Sequence, residues 1–215
     1  CGLFQGSREE EKSNDKPFPF DVRKLDAVIL SHAHLDHSGR LPKLVGDGYK
    51  GSLYMTYPTT ELLEIMLKDS ASLQQRDAEW ENKRLRRAGK REIEPLYTIE
   101  DVEDALTLCK GISYGKRHEV ANGVEVRFND AGHILGSSIV EIFINEKGSD
   151  KKLVFSGDLG NSCAAWLRDP DTITEADVLL MESTYCDRNH RPMDETLQEF
   201  EDIIVDASQN GGNIL

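Results

Sequence analysis

Apolar residues recur along the chain with two spacings, one typical of strands and one typical of helices. Six segments have the apolar content and the spacing of strands: 26–31, 52–55, 119–128, 138–145, 152–156 and 177–181. The first of them carries β-branched and apolar residues on consecutive positions, which indicates a strand that is buried on both faces. Asn122 and Gly123 supply a turn within the third. The chain is therefore predicted to form β-sheet structure over much of its length.

Helical spacing, with an apolar residue every three or four positions, marks the segments between the strands. Residues 59–88 are predicted to form one long helix or two in sequence, which Gly89 ends. A further helix is predicted to begin at Thr98, because an acid three residues after a Thr has the spacing of a capping box. Its inner stripe is predicted to comprise Val102, Ala105, Leu106 and Cys109. With a short helix at 39–45 and a last one at 195–207, the pattern predicts a layered α+β domain.

Length and composition fit a globular protein and exclude several other classes. With 215 residues, 38% of them hydrophobic and 30% charged, one large core is expected. No segment approaches the ~20 consecutive apolar residues of a membrane helix, and no signal-peptide pattern is present, so we expect a cytoplasmic protein without a membrane partner. The cysteines form no C-x-x-C pair, and four free thiols are expected: Cys1, Cys109, Cys163 and Cys186.

The net charge of −13 argues against binding of nucleic acid through bulk charge, so any RNA contact must be local. One candidate patch has six cations within nine positions: Lys83, Arg84, Arg86, Arg87, Lys90 and Arg91. The patch can equally be a solvated helix end that nearby acids balance, namely Asp77, Glu79 and Glu81. The sequence leaves both interpretations open, and it does not choose between a monomer and a homodimer.

Four strong metal ligands lie within six residues, directly after the first predicted strand. The segment reads H-A-H-L-D-H from residue 32 to residue 37. On an extended backbone His32 and His34 project to the same side. A turn after them can direct Asp36 and His37 towards a neighbouring point. Nitrogen and oxygen ligands without thiolate favour Zn²⁺, with Mn²⁺ or Fe²⁺ as alternatives, so the segment predicts a site for two adjacent metal ions.

Two glycine-flanked loops offer further ligands. His133 lies in the string D-A-G-H-I-L-G-S, and Asp158 lies in F-S-G-D-L-G-N at the end of a predicted strand. Glycine allows the backbone to approach a neighbour closely, and a carboxylate at a strand tip is well placed to bridge two ions. Either residue alone is more typical of an ordinary turn. His118 and His190 have no neighbouring ligand, and they are not predicted to bind metal.

Together these motifs resemble those of the metallo-β-lactamase superfamily, which combine H-x-H-x-D-H with an isolated His and an S-G-D string. The resemblance implies a four-layer αββα sandwich with two mixed β-sheets flanked by helices. It implies that the first metal is held by His32, His34, His133 and Asp158. It implies that the second metal is held by Asp36, His37 and the bridging Asp158. A further family His for the second metal is not found in the sequence.

Several local strings resemble those of the β-CASP group of nucleic-acid processing enzymes within this superfamily. They are C-G-L-F-Q-G at 1–6, E-P-L-Y-T at 94–98, the segment 130–138, L-R-D-P at 167–170 and E-S-T-Y at 182–185. In that group an acid at the position of Glu182 orients a His that protonates the leaving oxygen. The resemblance leads us to expect that residues 1–215 are a metallo-β-lactamase domain truncated at both ends. A β-CASP domain, the catalytic His and the last ligand of the second metal are then expected downstream.

The resemblance implies a metal-dependent hydrolase that cleaves RNA phosphodiester bonds, as an endoribonuclease, an exoribonuclease or both. Two cations would activate a hydroxide for the attack, and Asp36 and Asp158 would orient it. Little or no turnover is expected from the 215-residue chain itself, because a general acid and a ligand are missing from it. Two alternatives stay open, a hydrolase of small thioesters or lactones and an inactive scaffold subunit. The complete set of six ligands weighs against the scaffold.

Overall fold

The computed structural model describes residues 1–146, 148–162, 166–189 and 191–214. The chain divides into two compact units, Cys1–Glu182 and Ser183–Leu215. The strands are β1 Ala27–Ile29, β2 Ser52–Thr56, β3 Cys109–Ile112, β4 His118–Ala121, β5 Val124–Asp130, β6 Ser138–Glu146, β7 Ser149–Phe155 and β8 Val178–Leu180. The helices are α1 Arg8–Glu11, α2 Leu35–Ser38, α3 Leu41–Gly46, α4 Tyr57–Arg87, α5 Ile99–Thr107 and α6 Met193–Asn210. Two short 3-10 helices lie at Lys12–Asn14 and Val22–Lys24.

The first sheet has three parallel strands in the order β1-β2-β3. Parallel neighbours need crossover connections, and α3 and then α4 with α5 provide them. Leu53 and Met55 of β2 face a core that these helices share. The helices contribute Leu41, Leu44, Leu63, Leu67 and Val102 to it. The helices therefore cover one face of the first sheet.

The second sheet has five strands in the order β4-β5-β6-β7-β8. Its pairs are antiparallel except that β8 runs parallel to β7. Val126, Phe128 and Val140 are buried and form one cluster with Ile112 and Ile29 of the first sheet. The first unit is therefore layered in the order helices, first sheet, second sheet. The predicted α+β class with two sheets flanked by helices is confirmed, although the first sheet is purely parallel rather than mixed.

Most of the predicted elements are present, and the differences are local. The long helix predicted at 59–88 is α4, and the helix predicted to begin at Thr98 is α5, with Thr98 as its N-cap in a complete capping box. The prediction that Cys109 belongs to the stripe of that helix is wrong. The helix ends at Thr107, and Cys109 begins β3 because it pairs with Leu53 of β2. Within the described part of the chain, no helix has the length and apolar character of a membrane span.

In the second unit, α6 spans Met193–Asn210 and covers the helix predicted at 195–207. Its apolar residues, such as Leu197 and Phe200, are exposed. Two residues that the sequence analysis discussed, Cys163 and His190, lie outside the described residues. The predicted free thiols of Cys1, Cys109 and Cys186 are confirmed.

Candidate metal centre

The histidine-rich segment follows β1 and leads directly into α2. His34 is the N-cap residue of this helix, so Asp36 and His37 lie in its first turn. The hydroxyl of Ser38 lies 2.9 Å from the carbonyl oxygens of both Ala33 and His34, and its one hydrogen is shared between them. An extended stretch followed by one helical turn therefore divides the four polar side chains into two pairs, as the spacing indicated.

The first pair meets His133 from a different part of the chain. Nε2 of His32 lies 3.1 Å from Nδ1 of His34, and Nε2 of His133 lies 3.1 Å from the same nitrogen. With Asp158, these residues offer four ligand atoms that all lie within 4.8 Å of one another. The three imidazole nitrogens and the carboxylate are thus close enough to share one cation.

The second pair also meets Asp158. Nε2 of His37 lies 3.4 Å from Oδ2 of Asp36 and 3.1 Å from Oδ1 of Asp158. These three residues form a second group whose ligand atoms lie within 4.8 Å of one another. Asp36 is exposed and His37 half-buried, so this group is more open to solvent than the first, in which His32 is fully buried.

Asp158 stands between the two groups and presents a different oxygen to each. Its Oδ2 lies 3.7 Å from Nε2 of His32 and 3.6 Å from Nε2 of His133. Its Oδ1 lies 3.1 Å from Nε2 of His37. The carboxylate therefore has the geometry of a bridging ligand between two neighbouring cations.

Close backbone packing holds the Asp158 loop against the His133 loop. A Cβ atom on Gly160 would lie 1.7 Å from the carbonyl oxygen of Gly132, a distance that no side chain tolerates. The backbone N–H of Gly160 donates to the carbonyl of Ala131 at 2.8 Å. The hydroxyl of Ser137 accepts hydrogen bonds from the N–H groups of His133 and its neighbour, at 3.1 and 3.2 Å. Glycine is thus required where these two loops touch.

Glu182 lies at the end of β8 and is bonded to the Asp158 loop. Its Oε1 accepts a hydrogen bond from the N–H of Leu159 at 2.6 Å. Its own N–H donates to the hydroxyl of Ser156 at 3.1 Å. Both contacts fix the turn that carries Asp158. The sequence did not predict this role for Glu182.

Burial favours the neutral form of two imidazoles in the first group, those of His32 and His34. Burial lowers the pKa of His32 to about 3, and the neighbouring imidazoles of His37, His34 and His133 lower it further in the same direction. Burial and His133 also lower the pKa of His34, against the opposing effect of two carboxylates. Neutral imidazole is the form that binds metal ions. Ser31, which the sequence analysis missed, lies with its hydroxyl 3.1 Å from Nδ1 of His32 and can fix the orientation of that ring.

Other candidate residues lie apart from these two groups. His118 belongs to β4 and is not part of either group. In the basic patch at the end of α4, Arg84 pairs with Glu81 at 2.6 Å and Arg86 pairs with Glu92 at 3.7 Å. By contrast, the six residues that the sequence predicted as ligands come together from three segments of the chain.

Comparison with known proteins gives the family. The family model described as "Metallo-beta-lactamase superfamily domain" matches residues 5–179. Because this is most of the chain, the chain belongs to the metallo-β-lactamase superfamily, as its motifs indicated.

Three relatives match nearly all of the chain. A ribonuclease of Thermus thermophilus is 40% identical over 215 residues, which are 100% of this chain and 44% of the relative. An RNase J-like protein of Methanocaldococcus jannaschii is 31% identical, with 100% and 44% covered. The transcription termination factor FttA of the same organism is 29% identical, with 94% of this chain and 31% of the relative covered. The chain thus spans less than half of the length of these relatives.

Proposed function

We propose that this chain binds two divalent metal ions and serves the hydrolysis of phosphodiester bonds in RNA. The observation that carries the proposal is the position of Asp158, whose two carboxylate oxygens face two separate groups of ligands. A site for one metal does not need a carboxylate that is shared in this way. A centre with two metals does, since a bridging ligand sets the distance between the ions.

The residues present fit two metal ions. The first group offers three imidazoles and one carboxylate, and the second offers one imidazole and two carboxylates. Thiolate is absent from both groups, and a set of nitrogen and oxygen donors suits Zn²⁺, with Mn²⁺ or Fe²⁺ as alternatives. We propose zinc in both positions. The first position should bind more tightly, because it has four donors rather than three.

The chain's own side chains then have distinct roles. Bound divalent cations supply Lewis acidity towards a phosphate oxygen and make a water more acidic. The carboxylates of Asp36 and Asp158 accept hydrogen bonds from the attacking water and orient it. The buried ring of His32 stays neutral and fixes the deep side of the site. Glu182 is a positioning residue, because its carboxylate holds the N–H of Leu159 next to Asp158; family resemblance adds the orientation of a His that protonates the leaving oxygen.

RNA as the substrate is supported by the relatives rather than by the metal centre. Two of the three are named as ribonucleases or ribonuclease-like, and one of these is 40% identical over the whole of this chain. A metal pair of this kind polarises a carbonyl as well as a phosphoryl group, so the centre alone fits a thioester or lactone hydrolase equally well. The substrate must therefore be tested directly.

The test compares RNA with a thioester substrate. Because the chain spans less than half of its relatives, we would assay the chain itself and a chimera in which it replaces the matching segment of the Thermus thermophilus ribonuclease. The chimera with zinc or manganese is expected to cleave labelled RNA and to leave the thioester intact, while the chain alone shows little turnover.

Matched variants connect this activity to the site. His32→Ala and Asp158→Asn are expected to lower RNA cleavage by the chimera at least about 100-fold, which corresponds to about 2.7 kcal/mol of transition-state stabilisation. His118→Ala, outside both groups, should leave the rate unchanged. Cleavage of the thioester in place of RNA, or full activity of His32→Ala, would refute the proposal.

A further inference from the structure

A groove with a volume of about 780 Å³ runs along the second half of α4. The N-terminal segment forms one side of it through Phe4, and residues 93–96 form another side. Its apolar residues remain accessible to solvent: Trp80 is 66% exposed, and Leu73, Phe4 and Ile93 are about half exposed. We call this feature the acidic groove, because five acids line it. Its exposed apolar floor would lose contact with water if another surface covered it.

Two asparagines hold the sides of the acidic groove in place. The side chain of Asn14 accepts a hydrogen bond from the N–H of Phe4 at 2.8 Å and donates one to its carbonyl at 3.0 Å. Asn82 makes the same pair of bonds with Ile93, both at 2.8 Å. Each side is therefore held at one residue by two hydrogen bonds before anything binds. A groove formed in advance loses little conformational entropy on association.

The charges along the acidic groove have one sign. Five acids line it, and none of its described lining residues is a Lys, Arg or His. The acids are Glu11, Asp15, Asp77, Glu81 and Glu94. Only Glu81 has an ion pair, with Arg84, among the residues that the structure describes. Within the described part of the chain, the other four acidic side chains have no ion pair and lie beside exposed apolar surface, which favours a partner with basic charge.

Such a basic surface follows immediately in the same helix. We define the basic helix end as residues 83–91, where α4 closes and the chain turns. No residue of α4 after Ala78 is buried, so this end is open to solvent. Two of its six cations have ion pairs within the described part of the chain, and four do not. The four are Lys83, Arg87, Lys90 and Arg91.

We propose that the acidic groove binds the basic helix end of a second copy of this chain. In α4 the groove acids Asp77 and Glu81 precede the basic helix end, so two copies of the helix are complementary when they lie antiparallel. A two-fold axis then forms both contacts at once, with each groove receiving the other copy's helix end. Trp80, which lies between Asp77 and the basic helix end, comes close to that axis and is covered.

Binding of RNA to the basic helix end is the competing use of the same cations. Asp77 and Glu81 of the groove lie in the turns of α4 that precede the basic helix end, and their charge opposes the approach of phosphate there. A second copy gives both segments a partner, whereas RNA would serve only one of them. The observations therefore favour the second copy.

Sedimentation velocity on the 215-residue chain, at low and high ionic strength, tests the proposal. A dimer is expected at low ionic strength, and it should weaken as salt screens the exposed charges. The groove variant, Asp77→Lys with Glu94→Lys, and the helix-end variant, Arg87→Glu with Arg91→Glu, are each expected to weaken dimerisation roughly 100-fold or more, because like charges then meet.

Mixing the two variants gives the decisive result. Each variant restores the charge that the other has reversed, so the mixture is expected to form a heterodimer although neither component dimerises alone. The matched control, Glu61→Lys with Asp104→Lys, makes the same change in charge at exposed acids outside the groove and should leave the dimer intact. Circular dichroism should show that each variant keeps its helical content.

Three results would overturn the proposal. The wild-type chain could stay monomeric at every ionic strength, or the mixed variants could fail to associate. Alternatively, the helix-end variant could lose affinity for a single-stranded RNA oligonucleotide while the self-association of the chain is unchanged, which would assign the basic helix end to RNA.

Discussion

Gly160 determines how closely the loop of Asp158 can approach the loop of His133. The backbones touch at this point, since even a methyl group on Gly160 would meet the carbonyl of Gly132. The distances from Asp158 to the imidazoles depend on this contact. Asp158 is only two residues from Gly160, so a shift of its loop away from Gly132 would move the carboxylate as well. A residue that never touches a metal ion therefore controls the geometry of the proposed ligands.

Replacement of Gly160 by Ala is expected to lower the affinity of the chain for zinc about 10- to 100-fold, because it displaces Asp158 from both groups. The overpacking should also lower the free energy of unfolding by about 1 to 3 kcal/mol. Isothermal titration with zinc and chemical denaturation measure the two effects. Gly46→Ala is the matched control, since a Cβ there meets nothing within 4 Å. Equal zinc affinity in the Gly160 variant and the control would show that the contact between Gly160 and Gly132 does not affect metal binding.

The sequence indicated the proposed ligands but not the residues that orient them. His32 to His37 stand out because four polar ligands cannot all be core residues, and His133 and Asp158 stand out through their glycines. Ser31 and Ser137 carry no such signal, since serine occurs in most loops. Their contacts arise only when distant segments of the chain meet, which no local pattern records.

On the outer face of the second sheet, Glu141 of β6 joins three strands through ion pairs and hydrogen bonds. It is fully buried, and Arg127 of β5 and Lys152 of β7 each lie 2.5 Å from its carboxylate. Asn129 donates to it at 2.8 Å. Burial raises the pKa of Glu141, but the hydrogen bonds from Arg127, Lys152 and Asn129 outweigh it and lower the pKa to about 2. The charged form is thus favoured in the folded chain.

Glu141→Gln is expected to lower the free energy of unfolding by about 3 to 5 kcal/mol at neutral pH, because it leaves two cations without their buried partner. The folded pKa is depressed, so the contribution of Glu141 is complete above its ordinary value of 4.5 and is lost as the pH falls towards 2. Chemical denaturation between pH 7 and pH 3 should show the difference from wild type shrinking below about pH 4.5.

The control for this variant lies on the same strand pair. Glu125 forms an exposed ion pair with Arg117 at 3.4 Å, and Glu125→Gln should cost at most about 1 kcal/mol. A loss in Glu141→Gln no larger than in this control would mean that the buried ion pairs contribute nothing measurable.

The first turn of α5 is stabilised by its capping box. The hydroxyl of Thr98 accepts a hydrogen bond from the N–H of Asp101 at 3.3 Å, and the carboxylate of Asp101 accepts one from the N–H of Thr98 at 2.7 Å. Thr98→Ala is expected to lower the free energy of unfolding by about 1 kcal/mol, whereas Thr98→Ser keeps the oxygen and should stay close to wild type. Thermal denaturation of both variants checks this, and an alanine variant as stable as the serine variant would contradict it.

Elements with strong local signals were predicted well, and those that depend on tertiary pairing were not. The capping sequence predicted the N-cap residue of α5, and helical spacing predicted α4. Strand β3 was missed because Lys110 and Gly111 interrupt its apolar run. The segment forms a strand because its backbone pairs with that of Leu53 and its neighbours in β2. The helical spacing around Cys109 gave no sign of this pairing.

For the molecule as a whole, the fold places strand ends and loops from both sheets around the proposed metal centre. The histidine-rich segment follows β1 of the first sheet, while His133 and Asp158 follow β5 and β7 of the second. Sheet-on-sheet packing through Phe128 and Ile112 therefore brings the two sets of ligands together. The α+β class could be predicted from the alternation of elements, but the meeting of the two sheets came from family resemblance.

The central claim is that six side chains from three segments hold two cations, and zinc titration of the metal-free chain tests it most directly. The wild-type chain is expected to bind two equivalents, with the first tighter than the second. His133→Ala should lose the tight equivalent, His37→Ala the weaker one, and Asp158→Ala should impair both. Binding of no zinc by the wild-type chain, or two equivalents of unchanged affinity in Asp158→Ala, would contradict the account.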